Sequence, residues 1–228
     1  LIQWGTDFDK DDQGDFDLGK EGGHSAFRIL HHKDITGYEI QKKLIAKISC
    51  FENITLLDHH FAIDLLTEHH LGQDVRRGTP ITCFGAYIMD QANGRIFKAL
   101  SKITLLASGG SGQVYSSTTN PIVATGDGVA LAYRAKATVS NMEFIQFHPT
   151  ALYNPGESPA FLISEAVRGS GARLLTKAGK RFMGKYDHRK ELASRDIVAR
   201  AIDSELILSG DDFVLLDCSH LNKEDLLH

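Results

Sequence analysis

The stretch Ile103-Thr104-Leu105-Leu106-Ala107-Ser108-Gly109-Gly110-Ser111-Gly112, followed by Thr125-Gly126-Asp127-Gly128, decides how the fold is read. A short, continuous apolar run predicts a strand buried on both faces. The glycine-rich loop that ends it lets backbone amides approach something closely. Thr125–Gly128 then opens a helix whose apolar residues run from Val129 to Ala137. Strand, loop and helix in that order are the mark of an α/β unit. The loop by itself also suits any tight turn, and the fuller GxGxxG fingerprint is absent. Asp127 can equally be a first-turn carboxylate stabilised by the helix dipole.

Upstream, Thr36-Gly37-Tyr38-Glu39 fits a capping box, with Thr36 at the N-cap. Ile40, Leu44 and Ile48 follow at helical spacing, so a helix is expected over 36–49. Ile54–Leu57, Phe61–Leu66 and Ile81–Met89 read as strands. Asn93-Gly94 signals a two-residue hairpin before Arg95–Lys98. Downstream, helices are expected from Pro159 to Val167 and from Ser194 onward, with Ser194 as N-cap. A hairpin is expected near Ala178-Gly179 and a last strand over Phe213–Leu216. The pattern changes from βα to mixed α+β near 138–146, which suggests domains at 1–138 and 139–228.

Composition is that of a globular chain: 228 residues, 42% hydrophobic and 24% charged. The net charge of −4 comes without any block of Lys or Arg, which points away from nucleic acid and anionic membranes. No apolar run approaches the roughly 20 residues of a membrane span. Cys50, Cys83 and Cys218 are scattered and odd in number, as expected of buried thiols in a reducing, cytoplasmic compartment. The chain starts at Leu1 without Met, so a piece of a longer protein is expected.

The Asp residues at 7, 9, 11, 12, 15 and 17 invite a calcium-loop reading. Counted from Asp7, however, Asp12 replaces the required Gly and Leu18 the required Glu. A solvated acidic loop fits better. The doublets His31-His32, His59-His60 and His69-His70 lack zinc-ligand spacing, so no metal is assigned.

The densest chemistry lies in Gln146-Phe147-His148-Pro149-Thr150, Ser164-Glu165-Ala166-Val167-Arg168-Gly169 and Ser194-Arg195-Asp196. Histidine, hydroxyl, carboxylate and two arginines suit a site that holds a small dianion and moves a proton. Each has a blander reading. His148 can be structural, extended by Pro149. Glu165 and Arg168, at i and i+3, can be a surface ion pair contributing well under ~1 kcal/mol. Arg195 at a helix start is mildly disfavoured by the macrodipole, which hints at a role beyond helix stability.

These elements, in this order, resemble the L-aspartate oxidases of the succinate dehydrogenase and fumarate reductase flavoprotein superfamily. The resemblance is carried by Glu21-Gly22-Gly23-His24-Ser25, where Lys20 stands in place of the family's preceding arginine. It continues through His31, Asp34, Thr36-Gly37, Ala107-Ser108-Gly109-Gly110, Thr119-Asn120-Pro121 and Gly126-Asp127-Gly128. The strongest segments are Gln146–Leu152 and Arg195–Ala201.

The resemblance implies an α/β plus α+β chain: the later part of a Rossmann-like FAD-binding domain with its β-meander, then the first part of an α+β capping domain. It implies FAD, approached by Ala62, Gly109, Gly110 and Asp127. Arg195 would give and take a proton, relayed through Glu165 and Arg168. His148 and Ser164 would hold the dicarboxylate, and Glu21 would face the substrate ammonium. The implied reaction is oxidation of L-aspartate to iminoaspartate, with oxygen or fumarate reoxidising the flavin. The product would feed quinolinate and NAD biosynthesis, with quinolinate synthase as a partner. A soluble fumarate reductase or succinate dehydrogenase flavoprotein subunit is the alternative, and Glu21 argues against it. A non-catalytic, self-associating fragment is a second. The isolated chain is expected to be inactive and to bind FAD weakly or not at all.

Overall fold

The computed structural model describes residues 1–20, 24–74, 76 and 78–222. In chain order its regular elements are β1 (Leu18–Gly19), β2 (Ile29–Leu30), α1 (Thr36–Ile48), β3 (His60–Leu66), β4 (Gly85–Asp90) and β5 (Ile96–Leu100). They continue with α2 (Asp127–Arg134), α3 (Glu165–Gly169), β6 (Arg173–Leu175), α4 (Arg195–Ser209) and β7 (Leu215–Asp217). The chain forms two compact units: Leu1–Ile54 with Gln146–Gly156 and Ala160–His228, and Thr55–Ile145 with Glu157–Pro159.

In the second unit, β3, β4 and β5 make an antiparallel meander, each strand paired to the next. The register of β3 on β4 shifts between Ala62 and Asp64, leaving Ile63 in a bulge. Arg134 at the end of α2 serves that bulge, donating to the Ile63 carbonyl at 2.8 Å and to Asp64 at 3.2 Å. Gly85 opens β4 opposite Leu100 at φ +130°, where a Cβ would stand 1.9 Å from the Ala99 carbonyl oxygen. The Asn93-Gly94 turn is present but is wider than expected. Asp90 and Arg95 close it, and the Asp90 carboxylate accepts from the Ala92 amide and the Asn93 side chain.

Residues 103–107 depart from the sequence reading. No described strand pairs with them, and Ile103 and Leu105 are 87% and 88% exposed. The apolar pattern of a doubly buried strand is there, but among the described residues it has no sheet to enter. Ile54–Leu57 is likewise not a strand, and the strand expected over 81–89 begins only at Gly85.

In the first unit the core is Leu174, Phe182, Met183, Ala193, Val198 and Ala201, with Ile197, Ile202, Val214 and Leu216 packed around it. Helix α4 thus lies on the β6–β7 pair and on residues 182–193. Full burial of Phe182 or Leu174 contributes roughly 2 kcal/mol each. The 178–179 turn forms as expected, with Thr176 and Lys180 bonded across it.

Several helix ends differ from the sequence reading. Helix α1 has Ile35 at its N-cap, and Thr36 Oγ accepts from the His32 amide instead of forming a capping box. Glu39 is buried and accepts from the Asp7 amide. The helix expected from Pro159 shrinks to Glu165–Gly169, because 161–163 bond to 150–152: Leu152 to Phe161 at 2.8 Å and Ile163 to Thr150 at 3.0 Å. Ser194 does precede α4, but its hydroxyl donates to Asp196 instead of capping an amide. Cys50 is exposed and Cys83 and Cys218 are half-buried, so the thiols are free but not buried as expected.

Candidate active site

In the first unit, Glu165 is the first residue of α3 and Arg168 lies one turn on. Both are buried, Arg168 completely, and the Glu165 carboxylate accepts from the Arg168 guanidinium through one oxygen and from Arg195 Nε through the other. The surface-pair reading is therefore overturned: the side chains of Arg168 and Glu165 are 0% and 2% exposed. A carboxylate between two guanidinia offsets much of the desolvation that each buried charge costs. Burial still pushes the Arg168 pKa down, against the pull of Glu165.

His148 is half-buried beside this set. Burial, then the positive charge of Arg195, lowers its pKa, so it is neutral at pH 7. Its Nδ1 accepts from the Thr150 amide at 3.3 Å. In a neutral imidazole that leaves the proton on Nε2, making His148 a donor on its outward side. Thr150 is 5% exposed and is tied to the Ile163 carbonyl at 3.1 Å, so the donor is held from behind. Ser164 is the exposed N-cap of α3, its Oγ accepting from the Ala166 amide at 3.2 Å. Its hydroxyl proton is not used by that bond.

Sequence reasoning quoted Thr150 without giving it a role and missed Glu191 and Arg181. The Arg168 guanidinium also donates to the main-chain carbonyl of Glu191 at 2.7 Å. The Glu191 carboxylate is buried and gripped by Arg181. In sequence, Glu191 looks like any charge in the solvated run Asp187–Glu191, and no spacing rule sets it apart. Glu21 lies outside the described residues.

The second unit holds the remaining candidates. Ala62 and Asp127 line one groove of about 370 Å³ with Asp64 and Arg134. Asp127 starts α2, and the Thr125 hydroxyl donates to its carboxylate at 2.6 Å. Gly110 accepts from the Gly126 amide at 3.2 Å, tying the glycine loop to the turn that enters α2. A Cβ on Gly128 would make the Ser108 hydroxyl rotate away and would still stand 3.1 Å from Ser108 Cβ, so glycine keeps this approach close. A Cβ on Gly109 or Gly110 would meet nothing within 4 Å, so the main chain there faces open space. An exposed glycine backbone beside a helix N-terminus suits a phosphate-bearing cofactor. Among the described residues no cluster could hold a metal ion, and no helix is long and apolar enough to cross a membrane.

The α and β content and the open glycine loop beside a helix start suit a FAD-binding flavoprotein domain. The chain belongs to the FAD binding domain family, which matches residues 1–228. It is 48% identical over 235 residues to the chloroplastic L-aspartate oxidase of Oryza sativa, covering 100% of this chain and 35% of that protein. It is 50% identical over 222 residues to L-aspartate oxidase 1 of Ralstonia nicotianae, covering 96% of this chain and 40% of that one. The chain thus spans well under half the length of these relatives. Among solved structures, a quinol fumarate reductase of E. coli superimposes with a TM-score of 0.82 at 26% identity, over 99% of this chain and 39% of that one. The apo Sdh1 complex of Mycobacterium smegmatis gives 0.71 at 30% identity, over 99% and 37%. The expected likeness to L-aspartate oxidases and the expected cofactor class, FAD, are both borne out.

Proposed function

We propose that this chain is the substrate-holding and proton-handling part of an FAD-dependent L-aspartate oxidase, which converts L-aspartate to iminoaspartate for quinolinate and NAD biosynthesis. The single observation that carries the reading is the buried Glu165 carboxylate, shared by Arg168 and Arg195. In this reading residues 1–138 are the later part of a Rossmann-like FAD-binding domain and 139–228 the start of a capping domain. That division concerns lineage and is separate from the packing into two units. Ala62, Gly109, Gly110 and Asp127 would hold FAD, which when bound supplies the two-electron acceptor.

The chain's own residues handle substrate and proton. His148, through Nε2–H, and the Ser164 hydroxyl would bind a substrate carboxylate. An arginine is an effective base only once it has lost a proton, because its ordinary pKa exceeds ~12. Arg195 already directs Nε–H at Glu165, so transfer to that carboxylate leaves a neutral arginine able to take a proton from substrate. Onward relay balances only if Arg168, bonded to the other Glu165 oxygen, releases a proton of its own as it takes this one. Glu21 would pair with the substrate ammonium, an assignment supported by the resemblance alone. Oxygen or fumarate would restore the cofactor, quinolinate synthase would take the product, and the cytoplasm is the proposed compartment.

The test is anaerobic addition of L-aspartate, and separately succinate, to the full-length, FAD-loaded protein while the flavin absorbance is followed. Bleaching by aspartate alone is expected, with Glu21→Gln abolishing it. Bleaching by succinate with aspartate inert would replace this reading with a succinate or fumarate enzyme, the class to which the structural neighbours belong.

A further inference from the structure

We propose that Arg181 and Glu191 are positioning residues for the proton relay, clamping the turn whose carbonyl aims Arg168 at Glu165. The inference rests on the reading of Arg195, Glu165 and Arg168 as the proton-handling set.

Arg168 is wholly buried, and two hydrogen bonds fix its guanidinium, one to Glu165 and one at 2.7 Å to the Glu191 main-chain carbonyl. Its Nε has no partner, so the orientation of the planar group depends on those two contacts. The Glu191 carbonyl belongs to the tight turn Lys190–Leu192, entered through Lys190 at φ +57°, a left-handed conformation disfavoured outside glycine. Such a turn persists only when its surroundings hold it.

The Glu191 side chain supplies the hold. Oε1 accepts from the Leu174 amide of β6 at 3.1 Å and from Arg181 Nε at 3.0 Å, while Oε2 accepts from the second Arg181 nitrogen at 2.6 Å. This is the two-pronged arginine–carboxylate geometry that fixes direction as well as distance. Burial pushes the Glu191 pKa up, but the Arg181 and main-chain bonds outweigh it and keep the group ionised. Neither Arg181 nor the Glu191 carboxylate is bonded to Glu165 or Arg195. Both act through the carbonyl. Without the clamp the turn relaxes, the carbonyl rotates, and Arg168 loses one of its two guides.

The experiment uses the full-length, FAD-loaded enzyme with Arg181→Gln, Arg181→Lys and Glu191→Gln, and Arg195→Gln as the control on the relay. The Arg181 side chain is 41% exposed, so its variants are the ones expected to fold. Arg181→Gln should lower kcat on L-aspartate by roughly tenfold or more, the order expected of misplaced reacting groups. KM and flavin content should stay unchanged, and Arg181→Lys, which keeps the charge, should recover part of the loss. Unchanged kcat in a flavin-loaded Arg181→Gln would overturn the proposal. So would joint loss of kcat, KM and flavin, which marks a merely structural clamp. If Glu191→Gln does not fold, the two Arg181 variants decide. If Arg195→Gln still turns over, it is the relay reading that fails. If Arg195→Gln is dead while the Arg181 variants are normal, only the positioning inference fails.

Discussion

Arg195, in the first turn of α4, donates Nε–H to Glu165, in the first turn of α3 and thirty positions earlier in the chain. A cation at a helix start opposes the macrodipole. Here the opposition is offset by a carboxylate brought from another helix, and that carboxylate also neutralises Arg168. Replacing Glu165 with Gln keeps one acceptor oxygen but leaves the Arg168 charge buried without its carboxylate counter-ion. We expect a loss of about 3 kcal/mol in stability, the scale of breaking a buried pair from one side. Urea unfolding of the full-length protein measures it, and an unchanged midpoint would contradict the account.

The pH response of His148 follows from its lowered pKa. The unfolded chain takes up the imidazole proton near pH 6.5, the folded chain only at lower pH. This site therefore contributes no pH dependence well above 6.5, and stability falls as pH drops through that value. Protonated Nδ1 can no longer accept from the Thr150 amide. We expect KM for the dicarboxylate to be flat from pH 8 to about 6.5 and to rise below it. His148→Ala should raise KM on the order of tenfold and flatten the profile. A KM that climbs through pH 7.5 in the native enzyme, but not in the variant, would show the pKa to be raised instead.

A side chain at Gly128 would turn the Ser108 hydroxyl away and leave the two Cβ atoms 3.1 Å apart, a tight contact. Gly128→Ala should force α2 away from the glycine loop, costing about 1–3 kcal/mol as overpacking does and lowering the flavin-to-protein ratio. Adding Ser108→Gly should restore the ratio. Full flavin content in the single variant would show that the approach of loop and helix does not matter for the cofactor.

Arg134 is the donor for the carbonyl exposed by the bulge at Ile63. Arg134→Ala removes that bond and the contact with Asp64, both partly solvated, so a loss of about 1 kcal/mol is expected. Amide exchange should quicken at 62–64 and stay unchanged in β5. Uniform quickening across the sheet would mean that the arginine supports the whole meander.

The sequence made most of the site legible, because helix geometry alone places Glu165 and Arg168 on one face and the Ser194 signal starts α4 at Arg195. It could not show burial, which turned an apparently weak surface pair into a desolvated one. The roles of Thr150, Arg181 and Glu191 escaped because they depend on contacts 13, 10 and 23 residues away. The regular elements were readable where local signals dominate, as in α1, α2 and α4. They were misread where partners at a distance decide. Residues 161–163 have a helical apolar pattern but bond to 150–152. Residues 103–107 have a strand pattern but no described strand beside them.

Gly85 performs no chemistry and touches none of the candidate residues, yet no other side chain fits against the Ala99 carbonyl. In a saturation-mutagenesis survey its column would be as blank as that of Arg195. Intolerance to substitution therefore ranks a tightly packed scaffold glycine beside a proton-handling group. Only a second readout, such as protein abundance measured apart from turnover, would separate the two.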